Sequence, residues 1–483
     1  MAKIKKAWFC RECGNESPKW MGKCPACGEW NTMVEEVISK GPDSPITSHN
    51  RAFLSSVNPQ PQPLSQIDCG NESRISLGNS ELDRILGGGI VEGSLILIGG
   101  EPGIGKSTLS LQIPLFCNHL KTLYISGEES ARQIKLRGER LLNGIVRQAC
   151  SSNEKEGERL SGSGENCLIL SETLLENILN RAKETKPQLL IIDSIQTIYS
   201  QNIESSAGSV SQVRECAAAL LRFAKESNTP VIIIGHITKD GSIAGPKILE
   251  HIVDVVLQFE GDTRHSYRIL RSIKNRFGST AELAVYEMTS EGLEEILNPS
   301  EMFIPMHDNN LSGTAVAAML DGTRPFLIEV QSLVSTAAYG TPQRSATGFD
   351  VRRMNMLLAV LEKRVGFKLA QKDVFLNMAG GLKISDPACD LAIVAAILSS
   401  NFDVIISNDI AFAAEIGLSG EIRPVSQIEK RISEAEKLGF KQILISSFSK
   451  IATESASNQL ESGKNGIKVI KIATIQDLVK AIF

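Results

Sequence analysis

The chain has 483 residues, 42% of them hydrophobic and 22% charged, and its formal net charge at pH 7 is −4. This length is too great for one compact domain and fits two or three. The composition is that of an ordinary soluble protein, and no run of eighteen apolar residues predicts a membrane-spanning helix. The basic start, residues 1–6, has no apolar signal core after it, which predicts a cytoplasmic protein.

Because the net charge is slightly negative, any binding of nucleic acid would depend on local basic patches. Residues 1–30 contain six Lys and Arg against three Glu, and residues 341–375 contain seven Lys and Arg against three acidic residues. Either patch is equally compatible with an ordinary solvated face. Charge alone therefore neither indicates nor excludes a nucleic-acid partner.

The first 36 residues predict a small zinc module. Two C-x2-C pairs, separated by ten residues, bring together four thiols: Cys10, Cys13, Cys24 and Cys27. Four cysteines at this spacing are typical of a tetrahedral structural Zn²⁺ site, which has no open position for catalysis. A redox pair would not account for two such turns so close together. Residues 37–66, rich in Pro, Ser, Asn and Gln, predict a linker.

From residue 67 to about 298, short apolar runs alternate with amphipathic stretches. The runs are Ser94–Ile98, Thr122–Ile125, Leu189–Ile192 and Val231–Ile234. Such runs fit strands buried on both faces of a parallel sheet, and the segments 107–119 and 209–228 between them fit helices. The pattern predicts an α/β domain. A polar stretch at 151–165 predicts a mobile surface insertion.

A nucleotide-binding loop follows the first of these strands and opens a helix. It matches G-x4-G-K-[ST] in full with Gly100, Glu101, Pro102, Gly103, Ile104, Gly105, Lys106 and Ser107, and Thr108 comes next. Glycines let successive backbone amides point at phosphates, and the helix N-terminus adds positive potential. We expect Lys106 to reach the β- and γ-phosphates of ATP, and Ser107 to bind Mg²⁺.

Acidic residues follow two other strands of the same predicted sheet. Asp193 ends the run Leu189–Ile192, at the sheet edge where ligands bind, and is the expected partner of Mg²⁺. Glu128 and Glu129 come just after the strand Thr122–Ile125. Either could polarise the attacking water, or serve only as a carboxylate at a helix start. Residue types alone do not choose between them.

A different pattern begins at about residue 299. Thr314–Leu320 and Arg324–Leu333 predict a pair of strands joined by Asp321-Gly322, and Val351–Arg364 and Asp390–Ser399 predict helices. We therefore predict a second domain, 299–483.

Several motifs together resemble the RadA (Sms) family of bacterial DNA repair and recombination ATPases. They are the zinc module with its segment 20–28 (WMGKCPACG), the nucleotide loop, the segment 126–130 (SGEES) and the pentapeptide 274–278 (KNRFG). The resemblance implies a RecA-like P-loop ATPase core in a ring-forming motor, a homo-oligomer of six subunits. It also implies DNA-stimulated ATP hydrolysis, branch migration of recombination intermediates, single-stranded and branched DNA as ligands, and a RecA recombinase as a partner.

The resemblance also implies roles for individual residues. Glu128, rather than Glu129, matches the catalytic glutamate of RecA-like motors, and His236 matches a γ-phosphate sensor. The loop 238–246, with Lys239, resembles a DNA-contacting loop. Lys274 and Arg276 would reach the nucleotide of a neighbouring subunit as catalytic cations; from residue type alone they could form a plain basic turn.

The domain 299–483 resembles the α+β proteolytic domain of Lon, but its Ser–Lys dyad is missing. Ala388 stands at the nucleophile position and Glu429 at the lysine position, while Ser385 and Lys430 are displaced along the chain. A hydroxyl and a lysine must lie side by side for this chemistry. We therefore expect an inactive scaffold for assembly or DNA contact, with a basic helix that carries Arg352, Arg353, Lys363 and Arg364.

Two alternatives remain beside the DNA motor. An ATP-dependent protease of the Lon type would explain a nucleotide motor joined to a Lon-like domain, but the missing dyad argues against it. A nucleotide-gated binding module with negligible turnover is harder to exclude, because only Glu128 and Asp193 argue for hydrolysis.

Overall fold

The structure is a computed structural model, and it describes residues 5–10, 15–38, 73–151, 164–236, 249–261, 266–304, 311–337, 341–379, 384–451 and 466–483. The chain separates into two compact units, Met1–Leu297 and Asn298–Phe483. In these ranges no helix is long and apolar enough to cross a membrane.

The first unit opens with a small ribbon of three antiparallel strands in the order β2-β1-β3. Cys10, Cys24 and Met33 are buried in its core, with Trp8 packed against them. A ribbon this small buries too little apolar surface to be stable alone, so a metal is the ordinary means of holding it together. The strands are β1 Lys5–Cys10, β2 Glu16–Ser17 and β3 Met33–Ile38.

A short antiparallel pair and one helix lead into the main sheet. Asn79 caps the helix, since its side-chain oxygen accepts a hydrogen bond from the backbone N–H of Leu82 at 2.8 Å. The helix ends at Gly87, whose φ of +83° is the left-handed conformation that favours glycine. These elements are β4 Arg74–Ile75, α1 Ser80–Leu86 and β5 Ile90–Val91.

The main sheet contains nine strands in the described part of the first unit, in the order β14-β13-β12-β11-β6-β10-β9-β7-β8. The six strands from β11 to β8 are parallel, and β12, β13 and β14 continue the sheet in antiparallel pairs. The elements are β6 Leu95–Gly100, α2 Lys106–Phe116, β7 Thr122–Ser126, α3 Ala131–Ser151, β8 Cys167–Ser171, α4 Leu175–Thr185, β9 Leu189–Asp193, α5 Val210–Ser227, β10 Val231–His236, β11 Val255–Glu260, β12 Tyr267–Asn275, β13 Leu283–Thr289 and β14 Gly292–Glu295.

The central strands are apolar along their whole length because both faces of the sheet are covered. In β6, Ile96 and Ile98 belong to one hydrophobic layer, while Leu95 and Leu97 belong to the layer on the opposite face. Parallel sheets are stable mainly when both faces are packed in this way. The α/β prediction is confirmed, and the four predicted strands begin within one residue of β6, β7, β9 and β10.

The parallel register brings the C-terminal ends of these strands to one edge of the sheet. His236 at the end of β10 lies level with Gly100 at the end of β6, and Ser126 at the end of β7 lies level with Asp193 at the end of β9. We call this the nucleotide edge.

The second unit is built on a seven-stranded mixed sheet in its described residues, in the order β17-β18-β16-β15-β19-β22-β23. The predicted hairpin is present, as β15 and β16 pair antiparallel around Asp321 and Arg324. The elements are α6 Ser300–Phe303, β15 Thr314–Asp321, β16 Arg324–Thr336, β17 Arg344–Thr347, α7 Val351–Val360, a π-helical turn Leu361–Val365, β18 Lys372–Met378, a 3₁₀ turn Pro387–Cys389, α8 Asp390–Phe402, β19 Ile410–Ala413, β20 Glu415–Ile416, β21 Ile422–Arg423, α9 Ile428–Lys437, β22 Gln442–Ser446, β23 Lys468–Ile472 and α10 Ile475–Ile482.

One boundary in this unit differs from the prediction. The helix predicted over Val351–Arg364 leaves α-helical geometry after Val360 and continues as the π-helical turn, which ends at Gly366 with φ +87°. Its first turn is capped by Asp350, whose carboxylate accepts the backbone N–H of Arg352 at 2.6 Å.

Candidate nucleotide and metal sites

The N-terminal ribbon brings three cysteine sulfurs together. The Sγ atoms of Cys10, Cys24 and Cys27 all lie within 4.8 Å of one another, and Cys10 Sγ is 3.6 Å from Cys27 Sγ. Zn–S bonds of about 2.3 Å place tetrahedral sulfurs about 3.8 Å apart, so this spacing fits zinc. Gly28, with φ +77°, turns the chain back so that its N–H donates to the carbonyl of Cys24 at 2.9 Å. Cys13, the predicted fourth ligand, lies outside the described residues.

The nucleotide loop joins β6 to α2 and depends on its glycines. Gly100, Gly103 and Gly105 have φ values of +156°, +75° and +117°. A Cβ at Gly100 would lie 2.9 Å from Phe259 Cβ, so a larger residue would collide there. At Gly105 a Cβ would meet the flexible end of Met288 at 2.7 Å, and it is the positive φ that favours glycine. The loop therefore takes the form that its glycine spacing predicts.

The remaining loop residues differ in burial. Ile104 is buried and anchors the loop to the hydrophobic layer, whereas Pro102 is exposed. Glu101, directly after β6, is half-buried, and so are Ser107 and Thr108 at the start of α2. The two hydroxyls therefore lie on the first helical turn, where backbone N–H groups have no partner within the helix.

Lys106 is the buried cation of this site. Its Nζ donates to the carbonyls of Gly100 at 2.9 Å and Glu101 at 2.8 Å, and its side chain is almost fully covered. Burial lowers the pKa of Lys106 to about 8, and the carboxylates of Asp193 and Glu128 partly oppose this shift. The two acids therefore lie close enough to Lys106 to act on its charge.

Asp193 is held by a tyrosine that the sequence analysis did not single out. The hydroxyl of Tyr124, in the middle of β7, donates to Asp193 Oδ2 at 2.6 Å, and both residues are buried. Burial, and then the neighbouring Asp193 carboxylate, raises the pKa of Tyr124 well above its usual value. The hydroxyl thus stays protonated as a donor and orients the carboxylate. The sequence marks Tyr124 only as a hydroxyl-bearing ring in the middle of a predicted buried strand, and it does not indicate which acid the hydroxyl meets.

The two candidate glutamates have different surroundings. Glu128 Oε1 accepts a hydrogen bond from Ser194 Oγ at 2.6 Å and lies 3.4 Å from His236 Nε2. Glu129 forms an ion pair with Arg137, and its backbone N–H donates to Ser126 Oγ. Glu128 therefore lies at the nucleotide edge beside Asp193, whereas the charge of Glu129 is already paired. These contacts favour Glu128 as the base.

Lys274 and Arg276 lie at the opposite edge of the sheet. Lys274 Nζ donates to the carbonyls of Glu250 and Val253, and Arg276 Nη1 lies 3.2 Å from Asp254 Oδ1. Burial, and then the adjacent guanidinium of Arg276, lowers the pKa of Lys274.

The contacts of Asp254 show that this edge contains the first residue of β6. Its Oδ2 accepts the backbone N–H of Leu95, the first residue of β6, whereas the nucleotide loop leaves the last residue, Gly100. At about 3.3 Å per residue the two edges are about 17 Å apart. The sheet does not bring Lys274 and Arg276 to the nucleotide loop of their own chain.

The second unit places the expected protease residues apart. Ser385 is exposed, Ala388 is buried, and Glu429 and Lys430 are exposed, with Lys430 Nζ 3.4 Å from the carbonyl of Thr323. No hydrogen bond joins Ser385 to Lys430 within the described part of this unit. Three residues of α9 are buried, Ile428, Arg431 and Ala435, and Arg431 is the charged one. Its Nη1 lies 2.6 Å from Asp386 Oδ2 and 2.8 Å from the carbonyl of Ala318. A largely buried ion pair thus lies between α9 and the turn at Asp386.

One member of the predicted basic helix is paired with a buried carboxylate. Arg353 donates from Nε and Nη2 to the fully buried carboxylate of Asp390 at 2.8 and 2.6 Å. This bidentate pair engages Nε and Nη2 of Arg353 and gives the residue a structural role, so it is the member of the predicted basic face least suited to contact DNA. Arg352, Lys363 and Arg364 are exposed.

Two other predicted features lie outside the described residues. They are the loop 238–246 with Lys239, and most of the polar stretch 151–165.

Family models match three successive parts of the chain. The model described as rubredoxin metal binding domain matches residues 8–35, the ATPase model KaiC matches residues 75–297, and the model for subunit ChlI of Mg-chelatase matches residues 334–448. The first two agree with a zinc-binding module and an ATP-hydrolysing domain of the RecA-like class. The third falls inside the predicted Lon-like domain.

Curated relatives match along nearly the whole chain. DNA repair protein RadA of Bacillus subtilis is 47% identical over 99% of both chains, and that of Synechocystis sp. is 46% identical over 92% of this chain and 90% of its own. A solved structure of the RadB recombinase is 24% identical over 46% of this chain and 99% of its own, with a TM-score of 0.35. With identity this high over both full lengths, the chain belongs to the RadA family of DNA repair proteins.

Proposed function

We propose that this protein is a DNA-stimulated ATPase that acts in recombinational DNA repair as a ring-forming motor and promotes branch migration. Its RadA relatives are named DNA repair proteins. The observation that carries the hydrolytic part is the convergence of Lys106, Asp193 and Glu128 at the nucleotide edge. A module that only bound nucleotide would not require a base held beside the Asp193 carboxylate.

Each residue has a distinct task in this proposal. The buried ammonium of Lys106 binds the β- and γ-phosphate oxygens, while loop amides from Gly100 to Thr108 surround the phosphate chain. Glu128 accepts a proton from the attacking water while the water oxygen bonds to the γ-phosphorus. The bond between the γ-phosphorus and the β–γ bridging oxygen breaks in the same step. His236, whose Nε2 contacts Oε1 of Glu128, is the proposed sensor that responds to loss of the γ-phosphate.

The residues present also fit Mg²⁺. Hard cations take oxygen ligands, and the Ser107 hydroxyl and the Asp193 carboxylate supply them. Tyr124 engages only Oδ2 of Asp193, so Oδ1 is not committed to that contact. Bound there, Mg²⁺ would neutralise charge on the phosphates.

The ring is supported by the position of Lys274 and Arg276. These cations lie at the edge opposite the nucleotide loop of their own chain. They can therefore act only on an ATP molecule that is bound to a neighbouring copy. A head-to-tail interface forms a closed ring when its rotation closes, and we propose a ring of six subunits. Single-stranded and branched DNA are the proposed ligands, a RecA recombinase the proposed partner, and the unit Asn298–Phe483 a scaffold without peptidase activity.

The first experiment measures ATP hydrolysis by the full-length protein with and without single-stranded DNA. We expect DNA to raise kcat in the wild type, and Lys106→Ala to abolish hydrolysis in both conditions. Glu128→Gln should retain ATP binding and lose turnover. A kcat that DNA leaves unchanged would overturn the motor proposal.

The second experiment tests action between subunits. A Lys106→Ala chain retains Lys274 and Arg276, and a Lys274→Ala/Arg276→Ala chain retains the nucleotide loop. Each alone should be inactive, whereas random mixing should restore about a quarter of the sites in a ring of heterologous contacts. A mixture as inactive as its components would contradict the arrangement.

A further inference from the structure

The catalytic glutamate of a RecA-like site must be held in place, and in this protein the proposed glutamate, Glu128, lies on a loop. Glu128 follows β7 in the segment 126–130, which precedes α3. A glutamate on a loop loses side-chain freedom each time it acts, unless other groups restrain its carboxylate.

Three contacts tie this loop to the last residue of β9 and to the turn that follows it. The backbone N–H of Gly127 donates to the carbonyl of Asp193 at 2.9 Å. Thr197 packs against Gly127 so closely that a Cβ on the glycine would lie 2.0 Å from Thr197 Oγ1. The third contact reaches the carboxylate itself, from Ser194 Oγ to Glu128 Oε1 at 2.6 Å.

Ser194 is itself rigidly placed. Its side chain is fully buried, and its carbonyl accepts hydrogen bonds from the backbone N–H of Thr197 at 3.2 Å and from Thr197 Oγ1 at 2.8 Å. It also directly follows Asp193, so one two-residue segment orients the proposed metal ligand and the proposed base. The hydrogen bonds that the structure shows for the Glu128 side chain, from Ser194 and His236, are both to Oε1.

We infer that Ser194 is a positioning residue for ATP hydrolysis: its hydroxyl fixes Oε1 of Glu128 so that Oε2 faces the attacking water. This inference rests on the proposed function, because it requires Glu128 to be the base. His236 shares Oε1 at a longer distance, so Ser194 is the principal restraint. A hydrogen bond to a charged group is worth more than one between neutral groups, and a short one restricts the carboxylate strongly.

The test compares Ser194→Ala with Ser272→Ala in the full-length protein. Ser272 is buried in β12, far from Glu128, and its hydroxyl has no hydrogen-bond partner in the described structure. Ser194→Ala should lower kcat about tenfold, as expected for a lost hydrogen bond to a carboxylate, and leave the Kd for ATP within about twofold. Ser272→Ala should change neither constant.

A double-mutant cycle separates positioning from a general structural effect. Glu128→Asp shortens the side chain by one methylene and already breaks the Ser194 contact. Adding Ser194→Ala to Glu128→Asp should therefore lower kcat by less than about twofold. Full tenfold losses in both backgrounds, or a loss of ATP affinity equal to the loss of kcat, would overturn the positioning role.

Failure of the inference is distinguishable from failure of the proposed function. If Glu128→Gln hydrolyses ATP normally, Glu128 is not the base, and both the assignment and the inference fail. If Glu128→Gln is inactive while Ser194→Ala matches the wild type in kcat, only the role of Ser194 is overturned.

Discussion

Lys106 should make ATP binding sensitive to pH in an unusually low range for a lysine. The lysine is almost fully buried, and burial lowers its pKa to about 8. The phosphates of ATP would bind the charged ammonium far more strongly than the neutral amine. Raising the pH through 8 should therefore weaken ATP binding, because the free protein then has to take up a proton first.

The magnitude follows from this pKa. With a pKa of about 8, about nine-tenths of the free protein has a neutral Lys106 at pH 9, which lowers the apparent affinity about tenfold, or about 1.4 kcal/mol. At pH 7 the lysine is almost fully charged and the effect is small. Phosphate groups lose their second proton near a pKa of about 6, so ATP itself does not titrate between pH 7.5 and 9.5.

The same shift affects folding, with the opposite dependence on pH. The folded protein binds the Lys106 proton less tightly than the unfolded chain, whose lysine has a pKa of 10.5. Below pH 8, where Lys106 is charged in both states, its burial lowers the free energy of unfolding by about 3 kcal/mol relative to a lysine with an unshifted pKa. This loss of stability is relieved as the pH rises from 8 toward 10.5. Tighter folding and weaker ATP binding should thus accompany each other above pH 8.

The assay is equilibrium binding of a fluorescent ATP analogue from pH 7.5 to 9.5, with Lys106→Arg as the control. A guanidinium stays charged throughout this range, so the variant should bind with an affinity that does not change near pH 8. Two results would refute the reasoning: a flat profile in the wild type, or the same decrease in Lys106→Arg.

Three further predictions concern other parts of the chain. Cys24→Ser removes one of the converging sulfurs, so metal analysis of the purified protein should show zinc falling from about one ion per chain to near zero; a full zinc content would contradict the four-cysteine site. Arg353→Met leaves the carboxylate of Asp390 buried without its charged partner, and should lower the free energy of unfolding by about 3–5 kcal/mol in a denaturant titration, with Asp390→Asn in the same chain recovering most of the loss. An unchanged midpoint for Arg353→Met would show that the pair contributes nothing. Gly127→Ala places a Cβ 2.0 Å from Thr197 Oγ1, so the loop must shift and kcat for ATP should fall at least about tenfold. Adding Thr197→Gly should recover part of that activity, and a wild-type kcat in Gly127→Ala alone would rule out the steric argument.

The sequence predicted the strand runs well because burial on both faces leaves a continuous apolar pattern. Leu189–Ile192 and Val231–Ile234 are short, Ile- and Val-rich runs typical of inner strands, and β9 and β10 extend them by only one or two residues. Local chemistry was equally informative for the nucleotide loop, since positive φ at Gly100, Gly103 and Gly105 is a property of glycine itself. The π-helical turn after Val360 was not predictable, because a 3.6-residue pattern does not show where the helical hydrogen bonding changes.

Contacts between residues far apart in the chain could be predicted from the sequence only in part. Tyr124 and Asp193 are 69 positions apart, and Ser194 and Glu128 are 66 apart. Nothing in a single sequence tells which tyrosine or serine will meet which acid, because the pairing depends on the order β10-β9-β7 of strands in the sheet. Arg353 shows the same limit: its spacing on a basic helix suggested a ligand surface, and its packing against Asp390 made it structural.

What the sequence determined by itself was therefore local. Four cysteines at fixed spacing specify a zinc module, and the glycine-rich loop ahead of Lys106 specifies a phosphate site, because the chemistry in each case resides in neighbouring residues. Only the tertiary structure decided that Ser194 and Tyr124 hold the two acids, and that Lys274 and Arg276 lie at the edge remote from their own nucleotide loop. Those facts depend on strand order and register, which are set by the burial of both faces of the sheet and not by any short run of residues.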